Sequence, residues 1–102
     1  MAELIWSDGA LSDLEGIYDY IATGSPVYAR YTIQDLFEAA ERLRTFPDSG
    51  RRLPEFPDLP YRELVLGNYR IIYRFDNELN AVIIVTVVHG SRLIKGSYLS
   101  EQ

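Results

Sequence analysis

Two residues, Gly67 and Asn68, separate two segments of alternating character, "YRELVL" (61–66) and "YRIIYRF" (69–75). A loop of that length joins antiparallel neighbours and asks for positive φ, which glycine adopts without steric cost. The turn also fixes the register: Leu66 stands opposite Tyr69, Leu64 opposite Ile71, and Arg62 opposite Tyr73. Alternation then sorts the side chains. Tyr69, Ile71, Tyr73 and Phe75 share one face with Leu64 and Leu66, and that face must be packed against other elements. Arg70, Ile72 and Arg74 share the opposite face with Tyr61, Glu63 and Val65. This second face is expected to be open, with both arginines looking outward and Glu63 diagonally between them. Such cross-strand opposite charges are a common surface device, worth about a few tenths of a kcal/mol.

The packing partners stand upstream. Leu11, Leu14, Ile17 or Tyr18, and Ile21 recur at helical spacing, behind a Ser7 placed to cap the first turn. "TGSP" interrupts this helix, and Ser25-Pro26 opens another as cap and first helical residue. The second helix follows Ala29, Ile33, Leu36, Ala40 and Leu43 to its end at Phe46-Pro47, and Glu38 and Arg42 can pair on its exposed side. "ELIW" (3–6) reads as a first strand and "AVIIVTVVH" (81–89) as the last. Four prolines between Pro47 and Pro60 mark a loop, since neither flank could fold alone. The tail from Gly90 is compatible with a strand edge, a short helix or a frayed end. The expected fold is α+β, an N-terminal helical hairpin packed on one face of an antiparallel sheet. At 102 residues it is read as a single domain, 1–102, large enough to bury one core without staples.

The chain contains no cysteine, so disulfides, thiolate metal sites and a cysteine nucleophile are excluded. His89 is the sole histidine. A Ser-His-Asp triad would have to be built around it, and a metal site would have only carboxylates beside it. A histidine closing a strand before Gly90 is more often a structural hydrogen-bonder. No G-x-G-x-x-G or P-loop pattern occurs, and neither metal nor cofactor is expected. No apolar run approaches the roughly 18 residues of a membrane span, and the N-terminus lacks the regions of a signal peptide, so the expected location is cytoplasmic, without membrane partners. The net charge of −5 is unevenly spread: residues 1–41 hold eight acids against Arg30 alone, whereas residues 42–102 hold nine bases against seven acids. That counts against strong nonspecific phosphate binding by the whole molecule, and only the second half could supply a local basic face.

The chain as a whole resembles the ParE/RelE superfamily of toxins from bacterial type II toxin–antitoxin (plasmid stabilisation) systems. The pattern runs from Trp6 through "A..DL..I.DYI" (Ala10, Asp13, Leu14, Ile17, Asp19, Tyr20, Ile21) and "SP..A" (Ser25, Pro26, Ala29). It continues with "L..FP..GR" (Leu43, Phe46, Pro47, Gly50, Arg51), "RE" (Arg62, Glu63), "YRIIYR" (69–74) and "HGSR" (89–92). The resemblance implies a βααβββ fold and a cognate antitoxin that wraps the toxin in a hetero-oligomer.

Two branches with different chemistry share that resemblance. In the RelE branch the toxin cuts messenger RNA on the ribosome, which needs a base, an acid and cations for the developing phosphorane. Carried over by position, Arg70 and Arg92 match phosphate-stabilising arginines and Tyr98 matches an acid–base tyrosine. Arg62 matches the first of two basic residues on the preceding strand, but Leu64 stands at the second, and the register turns Arg62 away from Arg70. Arg70 could equally stabilise the fold, and Tyr98 could pack a C-terminal element. In the ParE branch the toxin poisons DNA gyrase and no hydrolytic site is implied; "DYI...SP..A" and "HGSR" look more like this branch. Arg62, Arg70, Arg74, His89 and Arg92 would then contact the target or the antitoxin. A third reading is a protein that has lost toxicity and retains only a binding role.

Overall fold

In a computed structural model of the chain, residues 1–99 are described. Five strands and two helices follow in the order β1 (Glu3–Trp6), α1 (Asp8–Ala22), α2 (Pro26–Arg42), β2 (Arg51–Arg52), β3 (Tyr61–Leu66), β4 (Tyr69–Asp76) and β5 (Ala81–His89), with a 3₁₀ turn at Gly96–Leu99. The expected α+β architecture is the one observed, two helices packed on one sheet. The strand order is β1-β5-β4-β3-β2, and β1 runs parallel to β5 while every other pair is antiparallel. The sheet is therefore mixed, and Arg51–Arg52, read from sequence as loop, adds a short edge strand. Among the described residues no helix is long and apolar enough to cross a membrane.

Local chemistry sets the elements. The Ser7 hydroxyl accepts the Ala10 N–H at 3.0 Å, capping α1, and donates to the Val85 carbonyl at 2.8 Å, so the cap also pins the helix to the sheet. Ser25 caps α2 through the Tyr28 N–H, with Pro26 in the first turn. The α2 helix ends at Arg42, short of Phe46-Pro47, and Glu38 accepts from Gln34 at 3.2 Å. Gly67 adopts φ of 57°, as the hairpin loop requires. The β3–β4 register pairs Leu66 with Tyr69, Leu64 with Ile71 and Arg62 with Tyr73. Ala10 and Leu14 of α1 and Leu36, Ala39 and Ala40 of α2 pack on Ile71, Tyr73, Val82, Ile84 and Val87, forming the main core.

The far face of the sheet is not open. Leu53 from the proline-rich loop and Ile94 and Leu99 from the tail cover Ile72 and Val88 in a second core, flanked by Phe56, Tyr61 and Tyr98. Each buried side chain of that size contributes about 1.5–3 kcal/mol relative to exposure, so loop and tail are integral to the fold. The expectation that Arg70 and Arg74 look outward from a bare sheet is thereby corrected. Arg70 is only 6% exposed, and Arg74 is half-buried with Asp76 at 3.5 Å. The β5 strand, between β1 and β4 and covered on both faces, is buried from Ala81 to Val88.

The loop enters this arrangement through Gly50. Its N–H donates to the Tyr73 hydroxyl at 2.9 Å, which in turn donates to the Pro47 carbonyl at 2.7 Å. A Cβ on Gly50 would lie 2.6 Å from both the Glu63 carbonyl oxygen and the Tyr73 hydroxyl. Gly50→Ala is therefore expected to cost about 1–3 kcal/mol through overpacking. In a domain of this size that lowers the thermal midpoint by roughly 5–20 °C; an unchanged midpoint in a calorimetric scan would contradict this close approach.

Candidate functional site

Arg70 projects from the middle of β4 into the far side of the sheet, where three separate stretches of chain converge on it. Nε donates to Glu63 Oε1 at 2.6 Å, and Nη2 reaches the same oxygen. Glu55, from the loop, takes the other edge of the guanidinium: Nη1 to Oε2 at 2.7 Å and Nη2 to Oε1 at 2.8 Å, a two-point fork. The remaining Nη1 hydrogen goes to the Arg92 carbonyl at 3.1 Å. Four hydrogen bonds and one further ion-pair contact thus hold the guanidinium. Glu63, 1% exposed, also accepts from Arg51 Nε, and Glu55 accepts the Ile94 N–H at 2.8 Å. Two arginines and two glutamates thus form a charge-balanced cluster that ties loop, β3, β4 and tail together.

Electrostatics follow the geometry. The hydrogen bonds from Arg70, first of all, bring Glu55 from its ordinary 4.5 to about 2, against the opposing effect of burial. The Arg70 pKa is pushed up, chiefly by the same contact.

The other sequence-derived candidates are dispersed. Arg62 donates to the Gly50 carbonyl at 2.8 Å, with Asp48 at 3.9 Å, on the helix-covered side and away from Arg70. His89 is exposed, with its ring edge-on to Tyr69. Its Nδ1 accepts the Ser91 N–H at 3.2 Å and lies 2.7 Å from the Ser91 hydroxyl, so it organises the turn after β5. The Arg92 side chain is exposed and shares a trough of about 260 Å³ with Tyr98, Ser7, Asp13 and Thr86. Tyr98 is half-buried against the second core. Arg70 lines a different groove, of about 450 Å³, with Arg51, Glu55, Val65 and Leu93. Arg92 and Tyr98 line one trough; Arg70 meets Arg92 only at its backbone carbonyl and lies outside that trough.

Sequence reasoning missed Glu55, and it gave Arg51 and Asp13 a place in the family pattern but no role. Asp13 Oδ2 accepts the Thr86 hydroxyl at 2.5 Å and the Val87 N–H at 3.0 Å, fastening α1 to β5. No local signal marks Glu55, which sits among prolines. The uninterrupted apolar run of β5, by contrast, is the signature of a strand buried on both faces, and it foretells a covered far face.

The depressed Glu55 carboxyl makes the cluster pH-sensitive. A folded-state pKa below the unfolded value stabilises the fold above about 4.5, and that contribution is lost as pH falls towards 2. Glu55→Gln is expected to lower the thermal midpoint at neutral pH. The gap between parent and variant should then shrink from pH 5 to pH 2. A gap independent of pH across that range would refute the ionic role of Glu55.

Comparison with known proteins places this geometry in a family. The family model for the ParE toxin of type II toxin–antitoxin systems matches residues 4–94. Toxin RelE2 of Caulobacter vibrioides is 37% identical over 94 residues, covering 91% of this chain and the whole of that protein. A chain of the chromosomal ParDE toxin–antitoxin system from P. aeruginosa superposes with a TM-score of 0.71 at 26% identity, covering 87% of this chain and 96% of that one. The toxin–antitoxin complex RelBE2 from Mycobacterium tuberculosis gives a TM-score of 0.65 at 23% identity over 86% and 96% of the two chains, a likeness of fold alone. The ParE-named and RelE-named relatives carry one architecture, and with a family match across nearly all of its described residues this chain belongs to the ParE toxins, as a type II toxin of the ParE/RelE superfamily.

Proposed function

We propose that the chain is an interaction toxin of the ParE type. It acts in the cytoplasm, inhibits growth by binding and poisoning DNA gyrase without a hydrolytic step of its own, and is neutralised in a hetero-oligomer with a cognate antitoxin. The Arg70 guanidinium, held between two carboxylates, carries this reading. Metal-free RNA cleavage needs cations free to meet the phosphorane, alongside a base and an acid. Both edges of the Arg70 guanidinium are engaged by carboxylates, so a phosphate could reach it only by displacing Glu55 or Glu63, and removing the buried Glu63 would leave the charge unbalanced. Solved relatives described as toxin–antitoxin systems support the antitoxin partner. In this reading Arg92, with its exposed side chain, and His89 serve protein contact, where arginine is enriched at energetic centres.

One observation favours the ribosome-dependent endoribonuclease of the RelE type: Arg92 and Tyr98 line one trough, a cation beside a phenol. Arg70→Ala cannot separate the two readings, because removing one partner of a buried ion pair costs about 3–5 kcal/mol and threatens the fold itself. Tyr98→Phe can, since it keeps the packing ring and removes only the hydroxyl. For the gyrase poison, induced expression should produce filamentation and a DNA-damage response with intact transcripts. Tyr98→Phe should then inhibit growth like the parent. Cut transcripts from the parent, together with a fall of about 10²–10⁴-fold in cleavage for Tyr98→Phe, would instead establish the nuclease. An absence of any growth effect from the parent would leave a binding role alone.

A further inference from the structure

Three donors converge on the carboxylate of Glu55. Arg70 meets it with Nη1 to Oε2 at 2.7 Å and Nη2 to Oε1 at 2.8 Å, and the Ile94 N–H reaches Oε2 at 2.8 Å. A planar guanidinium fork joined by a backbone amide is a donor set that suits phosphate as well as carboxylate. Here the chain supplies the anion itself. Leu53, fully buried, and Phe56, packed against the same second core, hold the loop on either side of Glu55. The Phe56 N–H donates to the Leu53 carbonyl at 3.2 Å, so Glu55 is presented from within a tight turn.

The two glutamates of the cluster are not equivalent. Glu63 lies in β3, is 1% exposed and bridges both arginines, so it cannot leave without unbalancing them. Glu55 comes from a loop, and its side chain is 15% exposed at the edge of the open groove of about 450 Å³ that Arg51, Val65, Arg70 and Leu93 also line. The Arg51 side chain is 65% exposed beside it. With both glutamates present the two arginines are balanced. Without the Glu55 carboxylate the cluster keeps one uncompensated positive charge, facing water through that groove.

We propose that Glu55 is a built-in plug in a phosphate site: its carboxylate fills the donor set of Arg70 and Ile94 and so bars the phosphate groups of RNA from this groove. Glu55 is then a specificity determinant, and this deepens and rests on the reading above of a toxin that works by protein contact alone. An external phosphate competes with a carboxylate already tethered in place, which the chain has positioned at no further entropic cost. Arg70 keeps its structural role while its capacity to recognise phosphate is spent internally.

The test titrates inorganic phosphate, against chloride at matched ionic strength, into the parent, Glu55→Ala and Glu55→Gln. Both variants should bind phosphate at least ~10-fold more tightly than the parent, the equivalent of one charge-assisted hydrogen bond. Phosphate should also restore part of the thermal midpoint lost on substitution, an effect absent from the parent. Adding Arg51→Gln to Glu55→Ala should reduce the gain. A short single-stranded RNA, followed by fluorescence anisotropy, separates a polyanion from the free ion: Glu55→Ala should bind it more tightly than the parent at low salt and lose it as salt rises. Should Glu55→Ala fail to fold, Glu55→Gln, which keeps the volume of the side chain, carries both comparisons. Folded variants that bind phosphate no more tightly than the parent would overturn the plug and leave the gyrase reading standing. Variants that gain phosphate but not RNA would overturn its role in target choice. Cut transcripts from the parent would instead remove the protein-contact reading, whatever the phosphate titration gives.

Discussion

The far half of this molecule depends on one buried side chain finding partners for its charge and its hydrogens. A guanidinium removed from water must have every donor met and its charge balanced, or it destabilises what surrounds it. At Arg70 the requirement is met by Glu63 from the adjacent strand, Glu55 from the loop and the Arg92 carbonyl from the tail. These contacts fix where loop and tail lie. Their position in turn places Leu53, Ile94 and Leu99 over Ile72 and Val88. Polar satisfaction and apolar burial are therefore one cooperative unit here, and neither half would hold its geometry without the other.

That unit changes how the superfamily likeness is read. A family pattern transfers residue types to positions, but chemistry depends on what each group has left to give. Arg70 occupies a strand position at which the RelE likeness suggests a phosphate ligand, yet its fork is already closed on a carboxylate. Arg92 keeps its side chain in solvent while lending its backbone to Arg70. The family is a matter of shared architecture and sequence; the cluster around Arg70 is a second arrangement of charges built upon it.

Much of the architecture was legible in the sequence because short-range rules determine it. The Gly67-Asn68 loop gave the β3–β4 pairing residue by residue, and Ser7 and Ser25 announced both helix starts. Alternation correctly assigned Arg70 and Glu63 to the face away from the helices, but it cannot report what a distant segment lays over that face. The bond between Arg70 and Glu55 spans 15 positions through a proline-rich loop with no periodicity to read. The parallel pairing of β1 with β5 was likewise hidden, since a four-residue strand carries no directional signal. The clue that was present, an apolar last strand lacking alternation, pointed to burial on both sides, and it was outweighed by the look of an amphipathic neighbour.

That last strand carries a consequence for solubility. Residues 81–88, "AVIIVTVV", form an uncharged, β-branched stretch free of proline, the composition that self-assembles when a strand edge is left bare. The β1 pairing ends at Ile84, and an irregularity at Val85 displaces the backbone just beyond it. Past that point Ser7 and Asp13 of the first helix occupy the Val85 carbonyl and the Val87 amide. A single carboxylate thus works as a gatekeeper, closing the edge to intermolecular strand recruitment and inserting a charge where a second chain would need to dock.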